Sequence, residues 1–66
     1  MKDKEKEHLE ALIDQHGLSA VIYAIAVICM EKAEHLSSNW QDKLSAAAWE
    51  ADSLLVEKAA QTVTSS

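Results

Sequence analysis

Hydrophobic residues concentrate at the centre of the chain, where the run AVIYAIAVICM occupies Ala20 to Met30 behind a charged N-terminal segment. This run is too long for one face of a helix in a small monomer, and too short for the ~20 residues of a membrane span. It predicts a helix that is buried on nearly all sides. Because a chain of this size buries only about 60% of its unfolded surface, the run also predicts oligomerisation.

A first helix is predicted over about 3–16. Its apolar residues recur three or four positions apart, as one face of an amphipathic helix requires; they are Leu9, Leu12, Ile13 and His16. Gly17 stands where a residue with positive φ ends a helix, and Ser19 is a suitable N-cap for the next one. The segment HGLS is therefore predicted to be a tight corner between two helices.

Two longer helices are predicted to follow, over about 20–37 and 40–60, with Asn39 as the N-cap of the second and a frayed tail over 61–66. One face of the 20–37 helix keeps a regular spacing of three and four; its residues are Ile22, Ala26, Cys29, Ala33 and Leu36. The stripe of the 40–60 helix assigned to packing within the chain comprises Trp40, Leu44, Ala47, Ala51 and Leu54, flanked by Ala48 and Leu55.

Each long helix also carries surplus apolar residues, which predict an interface with another subunit. They are Val21, Ile25 and Ile28 on the 20–37 helix and Trp49, Val56 and Val63, spaced by seven, on the 40–60 helix. The absence of proline and the single glycine favour an all-α fold. We therefore expect one helical domain over 1–66, in which a short helix precedes an antiparallel hairpin. Two hairpins would pair as a homodimer, or more as a higher oligomer, into a helical bundle.

Composition narrows the classes of partner. The net charge is −5, and all six basic residues are lysines. Nucleic-acid binders depend on basic surfaces rich in arginine, so direct nucleic-acid binding and docking on anionic membranes are both disfavoured. The lone Cys29 excludes an internal disulfide, and no signal peptide is recognisable at the N-terminus. These features predict a cytoplasmic location.

Candidate chemistry is sparse. Glu5 with His8, and Glu31 with Glu34 and His35, have spacings seen in metal sites of helical bundles, but solvated helix pairs are the favoured interpretation. Cys29 lies inside the apolar run and is expected to be a buried, unreactive thiol. There is no glycine-rich phosphate loop. We therefore expect no enzymatic activity, no cofactor and no metal.

The first helix carries a candidate acidic interaction face. Its carboxylates are spaced four and three apart and share one side of the helix; they are Asp3, Glu7, Glu10 and Asp14. Such a row can imitate phosphates and block a nucleic-acid-binding protein. The alternative is an ordinary solvated face, neutralised by the neighbouring lysines.

Four short segments resemble small helical proteins of bacteria and their phages or mobile elements: HGL (16–18), EKAEHL (31–36), NWQD (39–42) and AAWEAD (47–52). The resemblance implies a prokaryotic origin and no particular activity. Three functions stay open: an oligomeric accessory protein that binds itself and another protein, an acidic inhibitor that mimics nucleic acid, and a binder of a small apolar ligand in the bundle core.

Overall fold

The computed structural model describes residues 1–37 and 42–65, and these residues form three helices without a strand. The helices are α1 (Asp3–His16), α2 (Leu18–Ser37) and α3 (Lys43–Thr62). Helices α2 and α3 pack against each other along their lengths as a hairpin. The prediction of an all-α chain is confirmed.

The helix bounds differ from the predicted ones at two corners. Helix α2 begins at Leu18, so Ser19 lies inside the helix and is not its N-cap. Helix α3 extends to Thr62, which places the beginning of the predicted tail within the helix. The predicted start of the third helix at Trp40, with its cap at Asn39, falls outside the described residues.

Gly17 forms the corner between α1 and α2, whose axes are bent by 117°. Its backbone has φ 92° and ψ 153°, so the predicted positive φ is confirmed, although ψ lies outside the left-handed helical region. The Gly17 N–H donates to the Ile13 carbonyl at 2.7 Å, and the Gly17 carbonyl accepts from the Val21 N–H at 3.2 Å. One residue thus ends α1 and begins α2, in a conformation that is essentially confined to glycine.

Small side chains line the contact between α2 and α3, which we call the seam. Its buried residues are Ala26, Cys29 and Ala33 on α2 and Ala46, Ser53 and Ala60 on α3. The Ser53 hydroxyl donates to the Ala26 carbonyl at 2.8 Å, and the Ser19 hydroxyl donates to the Ala60 carbonyl at 2.7 Å. These two bonds fix an antiparallel register, and the same register places Ala33 opposite Ala46. Small residues let two helix backbones approach closely, because interaxial distance depends on the side chains at the contact.

The residues of α3 that face α2 differ from those predicted. Leu44, assigned to packing within the chain, is 90% exposed, and Leu54 is 59% exposed. The facing stripe instead follows an unbroken spacing of three and four through Ala46, Trp49, Ser53, Val56, Ala60 and Val63, all buried or half-buried. The prediction was wrong because the stripe that faces α2 contains the polar Ser53, so the periodicity of apolar residues alone selected another side of α3.

The three helices form a flat body of 39 × 27 × 14 Å. Its radius of gyration is 13.7 Å, whereas a compact chain of this length has about 11 Å. In the described part of the chain, α1 packs against α2 and not against α3. Leu12 and His16 of α1 lie beside Ala20, Val21 and Ala24 of α2. Helix α1 therefore lies at the edge of α2 and leaves most of both broad faces of the hairpin open.

Replacing Gly17 with alanine should lower the free energy of unfolding by about 1–3 kcal/mol, because a Cβ is unfavourable at this φ and ψ. Chemical synthesis with D-alanine at position 17 supplies the matched control, since a D-residue accepts positive φ. Urea unfolding followed by circular dichroism measures both variants. Equal losses for the L- and D-alanine proteins would contradict the geometry of this corner.

The seam predicts a contrast between two neighbouring alanines. Ala46→Leu should cost about 1–3 kcal/mol, because a larger side chain forces the two helices apart. Ala47→Leu adds the same atoms at an exposed position and should change stability by less than about 0.5 kcal/mol. Thermal unfolding of the pair checks the register, and a larger loss for Ala47→Leu would refute it.

Candidate interaction surface

The hairpin exposes large apolar side chains on two opposite faces. The exposed ones of the two long helices are Tyr23, Ile25, Val27 and Ile28 on α2 and Leu44, Leu54 and Leu55 on α3. Monomeric soluble proteins rarely expose apolar patches of this kind unless the patches bind something. These faces are the candidate functional surface.

Helical periodicity separates the exposed residues into two sets. Ile25 and Val27 are two positions apart on α2, which places them about 160° apart around the helix axis. The Ile25 face comprises Val21, Ile25, Ile28 and Lys32 of α2 with Leu44, Ala48, Asp52 and Leu55 of α3. The Tyr23 face comprises Tyr23, Val27, Met30 and Glu34 of α2 with Lys43, Glu50, Leu54 and Glu57 of α3. A shared cleft lined by Tyr23, Val27 and Glu57 fixes which sides of the two helices belong together.

The six residues predicted to contact another subunit fall into two groups. Ile25 and Ile28 are exposed and Val21 is half-buried, and together they occupy the Ile25 face. Trp49 and Val56 are half-buried on the α3 stripe that faces α2, and Val63, also half-buried, is the residue that ends this helix. Their seven-residue spacing was therefore a signal of packing within the chain. Ala46, Ser53 and Ala60 complete that series in the structure, and the polar Ser53 hides its continuity in the sequence.

Trp49 lies in a cleft of about 510 Å³ near the loop end of the hairpin. The cleft is lined by Ile28, Glu31, Lys32, His35 and Leu36 of α2 together with Trp49. The Lys32 Nζ atom stands 5.6 Å from the centroid of the Trp49 ring, within the range of a cation–π contact. Trp49 thus packs on α2 of its own chain, and the side chains of Glu31, Lys32 and His35 line the cleft beside it.

The acidic face of α1 is fully presented to solvent. All four of its carboxylates are exposed; they are Asp3, Glu7, Glu10 and Asp14. Lys2, Lys4 and Lys6 are exposed nearby. Because α1 lies at the edge of the hairpin, neither α2 nor α3 covers this row.

The remaining candidate residues, Glu5 and Cys29 among them, lie in different parts of the structure. Glu5 accepts a hydrogen bond from the Lys2 backbone N–H at 3.2 Å, which is a capping contact at the start of α1. Within residues 1–37 and 42–65, no three potential ligands cluster in a way that could hold a metal ion. The Cys29 thiol is buried in the seam, as predicted.

No single described helix has the length and apolar character of a membrane span. Helices α1 and α2 meet that criterion only together, as a pair bent at Gly17.

Comparison with known proteins finds none that is significantly similar to this chain. The chain matches no family, and neither a characterised protein nor a solved structure is significantly similar to it. The interpretation of its function therefore depends on its own residues.

Trp49→Ala should destabilise the hairpin itself. We expect a loss of about 2 kcal/mol, below the ~3–5 kcal/mol of a fully buried tryptophan, because the ring is half-buried against α2. Leu54→Ala, on the exposed side of the same helix, is the control and should have little effect. Urea unfolding at one fixed protein concentration makes the comparison. A larger loss at Leu54 would show that Trp49 is not part of the core.

Proposed function

We propose that the chain is a small, non-enzymatic interaction protein that acts as an oligomer of itself. The observation that carries this proposal is its surface area. The folded chain exposes 5306 Å², whereas a compact monomer of 7.3 kDa exposes about 4,200 Å². The excess of about 1,100 Å² exceeds the ~800 Å² that each partner contributes to a standard protein interface.

The weakness of the core supports the same proposal. The buried apolar residues are four alanines and Cys29, and no large side chain among the described residues is fully buried. Burial of apolar area contributes about 25 cal/mol per Å², so small side chains supply little of the stability that a lone 66-residue chain requires. Covering Ile25, Leu55 or Tyr23 in an assembly would supply the missing burial.

A second candidate function is supported by the position of α1. Its acidic row is exposed in the single chain, and α1 packs on α2 only. An inhibitor of a nucleic-acid-binding protein would use such a row as a substitute for phosphates. Charge reversal at Glu7 and Glu10 would abolish capture of that partner, and DNA would displace it. An ordinary accessory protein would keep its partner in both tests.

Self-association predicts that stability depends on concentration. For a dimer that unfolds to separate chains, a hundredfold dilution should lower the apparent free energy of unfolding by about 2.7 kcal/mol. Urea unfolding followed by circular dichroism over a hundredfold concentration range measures this change. A midpoint that does not move with concentration would contradict the proposal, because a monomer unfolds independently of its concentration.

A further inference from the structure

The two open faces differ in charge. Ile25 is 40% exposed on one face, and Val27 is 42% exposed on the other. The exposure of these two side chains therefore does not distinguish the faces, whereas the charged residues around them do.

The Tyr23 face carries three carboxylates around its apolar centre, from Glu34, Glu50 and Glu57, and Lys43 at one end of α3. A symmetric contact between two copies brings each residue near the same surface of its partner. Two copies of this face would therefore assemble six carboxylates and only two lysines around one apolar contact, so the carboxylates outnumber the lysines by four. Like charges brought together at an interface cost free energy and suppress that pairing.

The Ile25 face carries opposite charges instead. Lys32 lies beside Ile28 on α2, Asp52 lies on the same side of α3, and Glu31 lies at the outer edge. In a four-helix bundle related by a two-fold axis parallel to the helices, α2 of one chain packs on α3 of the other. The antiparallel register then puts Ile25 opposite the partner's Leu55, and Lys32 about one and a half helical turns (roughly 7.5 Å) along the axis from the partner's Asp52, an offset that the long lysine side chain can span. Apolar residues meet, and unlike charges border them.

The area also indicates how many copies bind. One standard interface covers about 800 Å² on each partner, which accounts for most of the excess surface of this chain. A second interface of equal size on the Tyr23 face would exceed that excess. A single closed contact between two copies is therefore sufficient.

We propose that a second copy of this chain docks on the Ile25 face and that the Tyr23 face stays exposed in the dimer. This inference rests on the proposed function, because it names the partner and the face through which the chain associates. The pairing is isologous: Ile25, Ile28 and Leu55 of both chains form the apolar centre, and Lys32 pairs with Asp52 across it.

Two matched pairs of substitutions test the choice of face. Ile25→Glu and Val27→Glu place a carboxylate at nearly equal exposure on opposite sides of α2. Leu55→Glu and Leu54→Glu do the same on α3, where the two leucines are 67% and 59% exposed. Light scattering after gel filtration measures the mass of each variant, and far-ultraviolet circular dichroism measures its helicity. Ile25→Glu and Leu55→Glu should weaken association at least tenfold, while Val27→Glu and Leu54→Glu should remain dimeric.

The other outcomes separate the failure of this inference from that of the proposed function. A dimeric wild type that dissociates with Val27→Glu and Leu54→Glu, but not with the other two, overturns the choice of face and leaves self-association standing. A wild type that is monomeric throughout overturns both. If Ile25→Glu lowers both the helicity and the measured mass of the assembly, a milder substitution keeps the test decisive. Lys32→Glu should weaken the dimer, and adding Asp52→Lys to that variant should restore it. Failure of that restoration overturns the proposed pairing.

Discussion

The close contact of small side chains between α2 and α3 determines how the rest of the chain is arranged. Alanines at 26, 33, 46 and 60 and the serine at 53 occupy the seam, and the Ser53 hydroxyl is satisfied by the Ala26 carbonyl across it. A buried hydroxyl without such a partner would cost about 1–3 kcal/mol. Because the seam has room only for small residues, most large apolar side chains of both helices must lie outside it.

This constraint explains why an apolar run becomes an exposed surface. A helix that is apolar on all sides is normally buried in a larger core. Here the seam covers one side of α2, and the end of α1 covers part of another. Tyr23, Ile25, Val27 and Ile28 stay open in the single chain. Their exposure follows from the packing of the hairpin, and their burial requires a further chain.

Much of the fold could be predicted from the sequence, because several of its signals are local. The glycine after a helical stripe located the corner at Gly17, and the regular spacing of Ala26, Cys29 and Ala33 identified the face of α2 that meets α3. The facing stripe of α3 was missed. Ser53 interrupts it with a polar residue, and its hydroxyl is acceptable in the seam only because a carbonyl on α2 lies within reach. That partner is a property of the tertiary register and cannot be inferred from α3 alone.

Only part of the candidate surface could be predicted, because its division into faces also depends on the tertiary register. The surplus of apolar residues on α2 is visible in the sequence, but the division into faces depends on which side of each helix the seam occupies. Once Ala26 and Ser53 are known to face each other, Leu55 joins the side of Ile25, and Leu54 joins the side of Tyr23. The difference in charge between the faces emerges only from that assignment. The Ile25 face then has charges of both signs, and the Tyr23 face is mainly acidic.

The central claim is that a chain with this seam associates with a second copy of itself. Sedimentation equilibrium of the wild-type protein at micromolar concentration tests it most directly, because it measures the mass of the assembly without labels or substitutions. The account predicts about 15 kDa, twice the 7.3 kDa of one chain. A single species of 7.3 kDa that is fully helical over the whole concentration range would contradict it.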